Sequence, residues 1–250
     1  MKRFENQVAI ITGGADGLGK GIAARIASEG CKVVLFDINE KLLQQTVNDF
    51  KELGYIADGV VVDIASEESV KRGVEQVDSK FGKIDIMVNS AGIVGPTSVK
   101  ITDYKTEDFD NIYGINLRGA FLITKYAAKA MEKNNYGRIL LLASIAGKEG
   151  NPFMAGYTTM KAGVIGLVKG IGKEYAETGI TVNGLAPAVI KTAMNEKTAP
   201  EQLAFMTAKI PMKRLGTIEE VAAISAWIVS KESTFTTGFV FDISGGRATY

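Results

Sequence analysis

Val8-Ala9-Ile10-Ile11-Thr12-Gly13-Gly14-Ala15-Asp16-Gly17-Leu18-Gly19 joins an apolar run to a glycine-rich turn, and a helical pattern follows at once. That order of strand, loose turn and helix decides the fold class. Glycine lets the backbone turn tightly and approach a ligand closely, and the unpaired N–H groups at a helix start favour an anion. A glycine cluster on its own is also an ordinary tight turn. The strand before it and the helix after it select a phosphate cradle made by Gly13, Asp16, Gly17, Leu18 and Gly19.

Outward from this turn, short β-branched runs alternate with longer amphipathic stretches. The spacing predicts strands over Val8–Thr12, Lys32–Asp37, Gly59–Asp63, Ile84–Asn89, Arg138–Ala143, Thr181–Ala186 and Phe239–Asp242. The implied fold is a doubly wound α/β domain, Rossmann-like, with a seven-stranded parallel sheet and helices on both faces. Asn39 is placed to cap the helix after the second strand, and Ser66, followed by Glu67 and Glu68, opens the next. Thr217 and Glu220 form a capping box before Val221–Val229. A long helical pattern runs from Thr106 to Asn134. The stretch from Pro187 to Leu215, with Pro200 and Pro211, breaks the rhythm and reads as a substrate flap at about 187–215. Without a linker-like stretch, residues 1–250 are expected to form one domain.

The net charge of +1 has no basic stripe behind it, which argues against nucleic acid or an anionic membrane and for a small-molecule substrate. The single Cys31 cannot form an internal disulfide, and Met1 to Gln7 lacks the apolar core of a signal peptide, so a cytoplasmic location is expected. The apolar stretch Ala162–Ile171 is interrupted by Lys169 and is too short to span a bilayer. No metal site is expected.

The second strand ends in Phe36-Asp37, at the distance where a carboxylate accepts hydrogen bonds from the adenosine ribose of a dinucleotide; a surface aspartate at a strand end is the plainer alternative. A 2′-phosphate beside Asp37 would be repelled, and neither Asp16 nor Ile38 supplies a compensating cation, so NAD is favoured over NADP. Asp63 and Ile64 follow on the adenine side, although helix capping near Ser66 would equally explain the acid.

The chain contains no histidine, so proton chemistry must use another group. Tyr157 and Lys161 lie one helical turn apart. A phenol titrates near pH 10, and making it a base near neutrality means lowering its pKa by about 3 units, roughly 4 kcal/mol. An ammonium at i+4 favours the phenolate. A solvated helix face would present the same spacing, and the surroundings decide. Ser144 follows an apolar strand at the carboxyl edge of the sheet and is a candidate donor to a substrate oxygen, or a strand-ending turn serine. Asn116 sits inside the long helical pattern, where asparagine competes with the backbone; a polar exposed position is the alternative to a functional one.

Thr12-Gly13-x-x-x-Gly17-x-Gly19, Asn89-Ser90-Ala91-Gly92, Asn116, Ser144 and Tyr157-x-x-x-Lys161 together resemble, in order and spacing, the short-chain dehydrogenase/reductase family, over essentially the whole chain. The resemblance implies that Tyr157 exchanges the proton of the reacting hydroxyl, Ser144 stabilises the developing alkoxide, and Lys161 tunes the phenol and holds the nicotinamide ribose. It further implies that Asn116 sits at a helix distortion and holds a water linking Lys161 to solvent. Asn89, Ala91, Gly92, Pro187, Ile190 and Thr192 are implied to line the cofactor. A homotetramer is implied as well, with the helices around Phe121–Met131 and Tyr157–Tyr175 as contacts. Ser90, where the family more often has a second asparagine, and Ala188, where it has a glycine, leave two local turn geometries open.

The implied reaction is NAD-dependent hydride transfer on a secondary alcohol or its ketone. The pocket segments Val94–Thr97, Lys148–Met154 and the region of Met194 mix small, polar and apolar groups. Lys148, four residues past Ser144, and Arg247, on the glycine-loosened Gly245-Gly246-Arg247-Ala248-Thr249-Tyr250, are candidate partners for a substrate carboxylate; a solvated terminal charge explains Arg247 equally well. A small sugar, polyol or deoxy-sugar acid is therefore expected. Reduction of 3-oxoacyl groups on a carrier protein is the alternative, with a non-catalytic NAD-binding regulator behind it.

Overall fold

The computed structural model describes residues 2–192, 204, 207–248 and 250. Its strands are β1 (Val8–Thr12), β2 (Lys32–Asp37), β3 (Ala57–Val61), β4 (Ile86–Asn89), β5 (Gly137–Leu142), β6 (Ile180–Pro187) and β7 (Val240–Ile243). They form one sheet in the order β3-β2-β1-β4-β5-β6-β7, every neighbouring pair parallel. The order reverses between β1 and β4, and this switch point opens a crevice at the carboxyl ends of the strands.

The helices are α1 (Gly17–Ser28), α2 (Glu40–Glu52), α3 (Glu67–Phe81), α4 (Thr106–Ile112), α5 (Gly119–Glu132), α6 (Ile145–Glu149), α7 (Ala155–Glu174) and α8 (Ile218–Ile228). Successive strand residues point to opposite faces, and β1 shows what that does to the core. Val8 and Ile10 pack with Val70, Val74 and Val77 of α3, Leu122 and Ile123 of α5, and Val164 and Val168 of α7. Ala9 and Ile11 pack on the other face with Ile22 and Ile26 of α1, Leu43 and Val47 of α2, and Val221 and Ala226 of α8. Two apolar layers thus sandwich the sheet, as the continuous burial of β1, β4, β5 and β6 requires.

The expected caps are in place. Asn39 Oδ1 accepts from Leu42 N at 3.1 Å, Ser66 Oγ from Ser69 N at 3.3 Å, and the Thr217–Glu220 box closes in both directions at 3.2 and 2.9 Å. Several element boundaries differ from the sequence pattern. β3 ends at Val61, two residues before Asp63, because the Asp63 carboxylate turns back to accept from Ala65 N at 2.9 Å. β4 starts at Ile86, after Asp85 has used its Oδ2 to accept from Val8 N at 2.8 Å. The long helix expected over Thr106–Asn134 is two helices joined by a π-helical turn at Tyr113–Arg118. The short helix α6 starts directly after Ser144. Part of the expected flap, residues 193–203, 205 and 206 with Met194 among them, lies outside the described residues. Its described base is tied down: Ile190 and Gly216 form a parallel bridge, and Ile210 is buried.

Candidate active site

The site begins with the way the glycine turn closes. Gly13 and Gly17 have φ of +62° and +57°, in the left-handed region, and a Cβ on Gly19 would lie 2.0 Å from Gly13 O. Side chains at these places would block the turn or strain it. Helices α2, α3 and α8 start under side-chain caps, whereas Asp16, at the start of α1, makes no capping bond and the first turn of α1 carries no acid. Its N–H groups are therefore left for an anion, which is what a pyrophosphate needs.

Asp37, at the carboxyl end of β2, is fixed by accepting from Ala15 N at 3.1 Å and from Asn39 N at 3.0 Å. Its half-buried carboxylate keeps further lone pairs for a pair of hydroxyls. These groups fit the adenosine half of NAD. Asp63 is exposed and already turned onto Ala65 N, the local role that competes with an adenine contact, while Ile64 is buried against Gly119 at the start of α5.

Thr12 is the hub of the switch point. Its hydroxyl donates to Asn89 Oδ1 at 2.7 Å and accepts from both Ser90 N and Ala91 N at 3.1 Å. Asn89, expected beside the cofactor, is thus a buried tie between β1 and β4, and Ser90 keeps its turn through its backbone alone. The sequence displayed Thr12 in the motif, but its task becomes visible only when β1 lies beside β4. Gly92 comes next: a Cβ there would sit 3.2 Å from Asn116 Oδ1 and 3.7 Å from Lys161 Nζ.

Asn116 is buried in the π-helical turn. Its Oδ1 accepts from Ile93 N at 2.9 Å and its Nδ2 donates to Ile93 O at 2.8 Å, so the amide holds the 90–93 loop as a strand neighbour would. The helix distortion is present as expected, and its cause is this pairing. The side chain itself is engaged with the Ile93 backbone.

Ser144 caps α6, accepting from Ala146 N at 3.1 Å, and lies close enough to Tyr157, near the start of α7, to favour its phenolate. Lys161, one turn along α7, is buried and donates to Leu142 O at 2.7 Å, its Nζ lying 5.8 Å from the Tyr157 ring centroid. Burial pushes the Tyr157 phenol above its usual pKa, against a smaller opposing effect of Ser144. Burial also pulls Lys161 down to about 8. Desolvation disfavours the charged form of both groups, so without cofactor the phenol stays above its usual value despite the neighbouring amine.

Pro187 ends β6, and Ala188 N donates to Ile243 O at 3.1 Å, a backbone bond that a glycine at 188 would make equally well. Ile190 is buried in the core between β6 and α8, and Thr192 is half-buried.

The two cations expected to meet a substrate carboxylate are already paired. Lys148 Nζ bonds to the main-chain oxygen of Tyr250 and lies 3.7 Å from Asp242 Oδ2. Arg247 donates to Glu149 Oε2 at 2.8 Å and to Asn151 Oδ1 at 3.3 Å. Neither stands free, since Glu149 and Asp242 lie where only the tertiary fold could bring them. A cavity of about 320 Å³ lies under Ile210, Met212, Gly245 and Gly246, separate from the Ser144–Tyr157–Lys161 cluster. Among the described residues no group of acids and cysteines is arranged to hold a metal ion, and no helix is long and apolar enough to cross a membrane.

Residues 13–248 match the family described as enoyl-(acyl carrier protein) reductase. A 2-dehydro-3-deoxy-L-rhamnonate dehydrogenase (NAD(+)) from Sphingomonas sp. (strain SKA58) is 41% identical, the alignment covering 99% of this chain and 98% of the relative. A 3-oxoacyl-[acyl-carrier-protein] reductase from Thermotoga maritima is 37% identical over 98% of each. The crystal structure of an NAD+-bound xylitol dehydrogenase superposes with a TM-score of 0.93 at 33% identity, over 98% of this chain and 100% of that one.

Proposed function

The chain belongs to the short-chain dehydrogenase/reductase family and is an NAD-dependent oxidoreductase acting on CH–OH groups, and from that premise we propose that its substrate is a small sugar, polyol or deoxy-sugar acid with a secondary alcohol. The carrying observation is the gathering of Ser144, Tyr157 and Lys161 at the carboxyl edge of the sheet, beyond the glycine turn and Asp37.

In this reading Tyr157 is the proton-exchanging group. With its phenol held protonated at neutral pH, the resting site is set to donate to a ketone oxygen, and alcohol oxidation needs that proton removed first. Ser144, beside Tyr157, holds the reacting oxygen. Lys161, bonded to Leu142 O, stands behind the phenol and reaches for the nicotinamide ribose. Nicotinamide, when bound, accepts or returns the hydride. The Gly13–Gly19 turn and the uncapped start of α1 hold the pyrophosphate, and Asp37 holds the adenosine ribose. Ala91, Gly92, Pro187, Ile190 and Thr192 flank the nicotinamide half, with 187–215 as flap.

The relatives span neutral and acidic substrates, a xylitol dehydrogenase on one side and a deoxy-sugar-acid dehydrogenase on the other. Because Lys148 and Arg247 are both paired within the chain, a neutral polyol enters at no electrostatic cost, whereas an acid must compete with Glu149 or Asp242. The 3-oxoacyl reading keeps its place through the Thermotoga relative, and Asp37 weighs against it by disfavouring a 2′-phosphate.

A homotetramer in the cytoplasm completes the proposal. Its support is an open groove where Leu117 and Phe121 face Gly163, Gly166 and Gly170 of α7. Phe121 is 46% exposed, and a Cβ on Gly166 or Gly170 would meet nothing, so a second copy of these helices can approach closely.

The test is turnover of NAD with polyols, sugar acids and, in the reverse direction, an acetoacetyl thioester with NADH. Polyols or sugar acids are expected to produce NADH absorbance. Tyr157→Phe is expected to lower kcat by about 1,000-fold while leaving NAD affinity within a few-fold. Turnover of the thioester alone would overturn the substrate class, and an unimpaired Tyr157→Phe would overturn the role of the phenol.

A further inference from the structure

The segment after β7 is tied on two sides. On one, Arg247 donates to Glu149 Oε2 at 2.8 Å and Asn151 Oδ1 at 3.3 Å. Lys148 Nζ also donates to the Tyr250 main-chain oxygen, while the Tyr250 hydroxyl donates back to Lys148 O. On the other, Gly245 O accepts from Met212 N at 3.1 Å, at the described base of the flap, and Ser244 Oγ closes the turn by accepting from Ala248 N at 3.0 Å.

The ties converge on a piece of chain that cannot hold itself. α6 is five residues long, Ile145–Glu149, and so short a helix has little stability of its own. Ser144 is its N-cap, and Lys148 and Glu149 are its last turn. Asn151, the second partner of Arg247, donates from its N–H to Thr158 Oγ1 at 3.2 Å, and Thr158 is the neighbour of Tyr157. The Arg247 and Glu149 side chains are only 10% and 27% exposed, so removing either leaves its partner charge poorly hydrated.

We propose that residues 244–248 and Tyr250 act as a clasp joining the base of the flap to α6, and that Arg247 is a positioning residue which keeps Ser144 in register with Tyr157 through Glu149 and Asn151. The inference rests on the alcohol-dehydrogenase reading above and deepens it. Arg247 acts on the substrate through the shape of the site, not by meeting a carboxylate.

The discriminating experiment compares Arg247→Ala, Arg247→Lys, Glu149→Gln and the Arg247→Ala/Glu149→Gln double variant in the full chain. Amide hydrogen exchange over 144–151 is expected to quicken about tenfold in Arg247→Ala and Glu149→Gln, no further in the double variant, and less in Arg247→Lys, with β1 and α1 unchanged. With NAD saturating, kcat is expected to fall about tenfold on a neutral polyol and a sugar acid alike, while the KM for NAD stays fixed. Exchange within twofold of the unsubstituted protein would overturn the clasp. A loss confined to acidic substrates, with Glu149→Gln gaining on them, would make Arg247 a carboxylate receptor and also overturn it. If the unsubstituted protein oxidises no alcohol, the functional reading fails and the exchange measurement alone decides the clasp.

Discussion

The nucleotide half and the substrate half of the crevice are built from different materials. At β1, α1 and β2 the work is done by backbone: a glycine turn, uncapped N–H groups and one carboxylate fixed by two main-chain donors. At β5, α6, α7 and the segment after β7 it is done by side chains brought from distant parts of the chain, such as Arg247 on Glu149 and Lys148 on Tyr250. A backbone site tolerates no added atom, whereas a side-chain site can lose one and keep its frame. The first half is rigid in what it accepts, and the second is open to change of substrate.

Gly19→Ala puts the first half to the severest trial. Its methyl would lie 2.0 Å from Gly13 O, which is backbone and cannot rotate away, so the turn must open. Overpacking of this kind costs about 3 kcal/mol, equivalent to about a hundredfold loss in NAD affinity by titration calorimetry. Affinity within threefold of the unsubstituted protein would show that the turn is softer than its contacts imply.

Lys161→Met probes the second half, with an effect of opposite sign on stability and activity. Lys161 titrates near 8 in the fold against 10.5 ordinarily, because it is desolvated. Folding therefore disfavours its charged form, and the cost, about 3 kcal/mol, is fully present below pH 8 and is relieved as the pH rises from 8 towards 10.5. Removing the amine lifts that cost and gives up the bond to Leu142 O, worth about 1 kcal/mol. The variant is expected to be inactive yet about 2 kcal/mol more stable at pH 7 in chemical denaturation, the advantage vanishing above pH 10. A less stable variant at pH 7 would mean that the amine is better solvated than its burial indicates.

The same contrast explains how far the sequence could be read. Gly13, Gly17, Gly19 and Asp37 act through backbone geometry that is local in the chain, and the order of strand, turn and helix exposed them. Tyr157 and Lys161 were legible because one helical turn joins them, and Ser144 because it ends a strand. Asn89 was placed beside the cofactor, yet its carboxamide accepts from Thr12, 77 positions earlier, across the pairing of β1 with β4. The helix expected over 106–134 breaks because Asn116 pairs with Ile93, and no periodicity in the helix itself encodes a loop 23 residues away. Lys148 and Arg247 were recognised as unusual cations but not as paired ones, since Glu149 and Arg247 stand 98 positions apart and meet only once the chain between them has folded.

Asp37 carries the smallest and most informative prediction, because it is the charged side chain fixed by main-chain donors in the backbone-built half. Its two main-chain donors, Ala15 N at 3.1 Å and Asn39 N at 3.0 Å, orient the carboxylate without neutralising it. A negative charge held there accepts from ribose hydroxyls and repels a 2′-phosphate, so cofactor choice depends on charge more than on shape. Asp37→Asn keeps the size and leaves an oxygen for one of the two donors. The ratio of kcat/KM for NAD to that for NADP is expected to fall about tenfold, equivalent to about 1.4 kcal/mol, through both lost affinity for NAD and relief of repulsion for NADP. Because the repulsion between exposed charges is screened, the shift should shrink as ionic strength rises. An unchanged ratio at low salt would mean that discrimination comes from the shape of the turn alone, and the contrast between a backbone site and a side-chain site would then extend to the choice of cofactor itself.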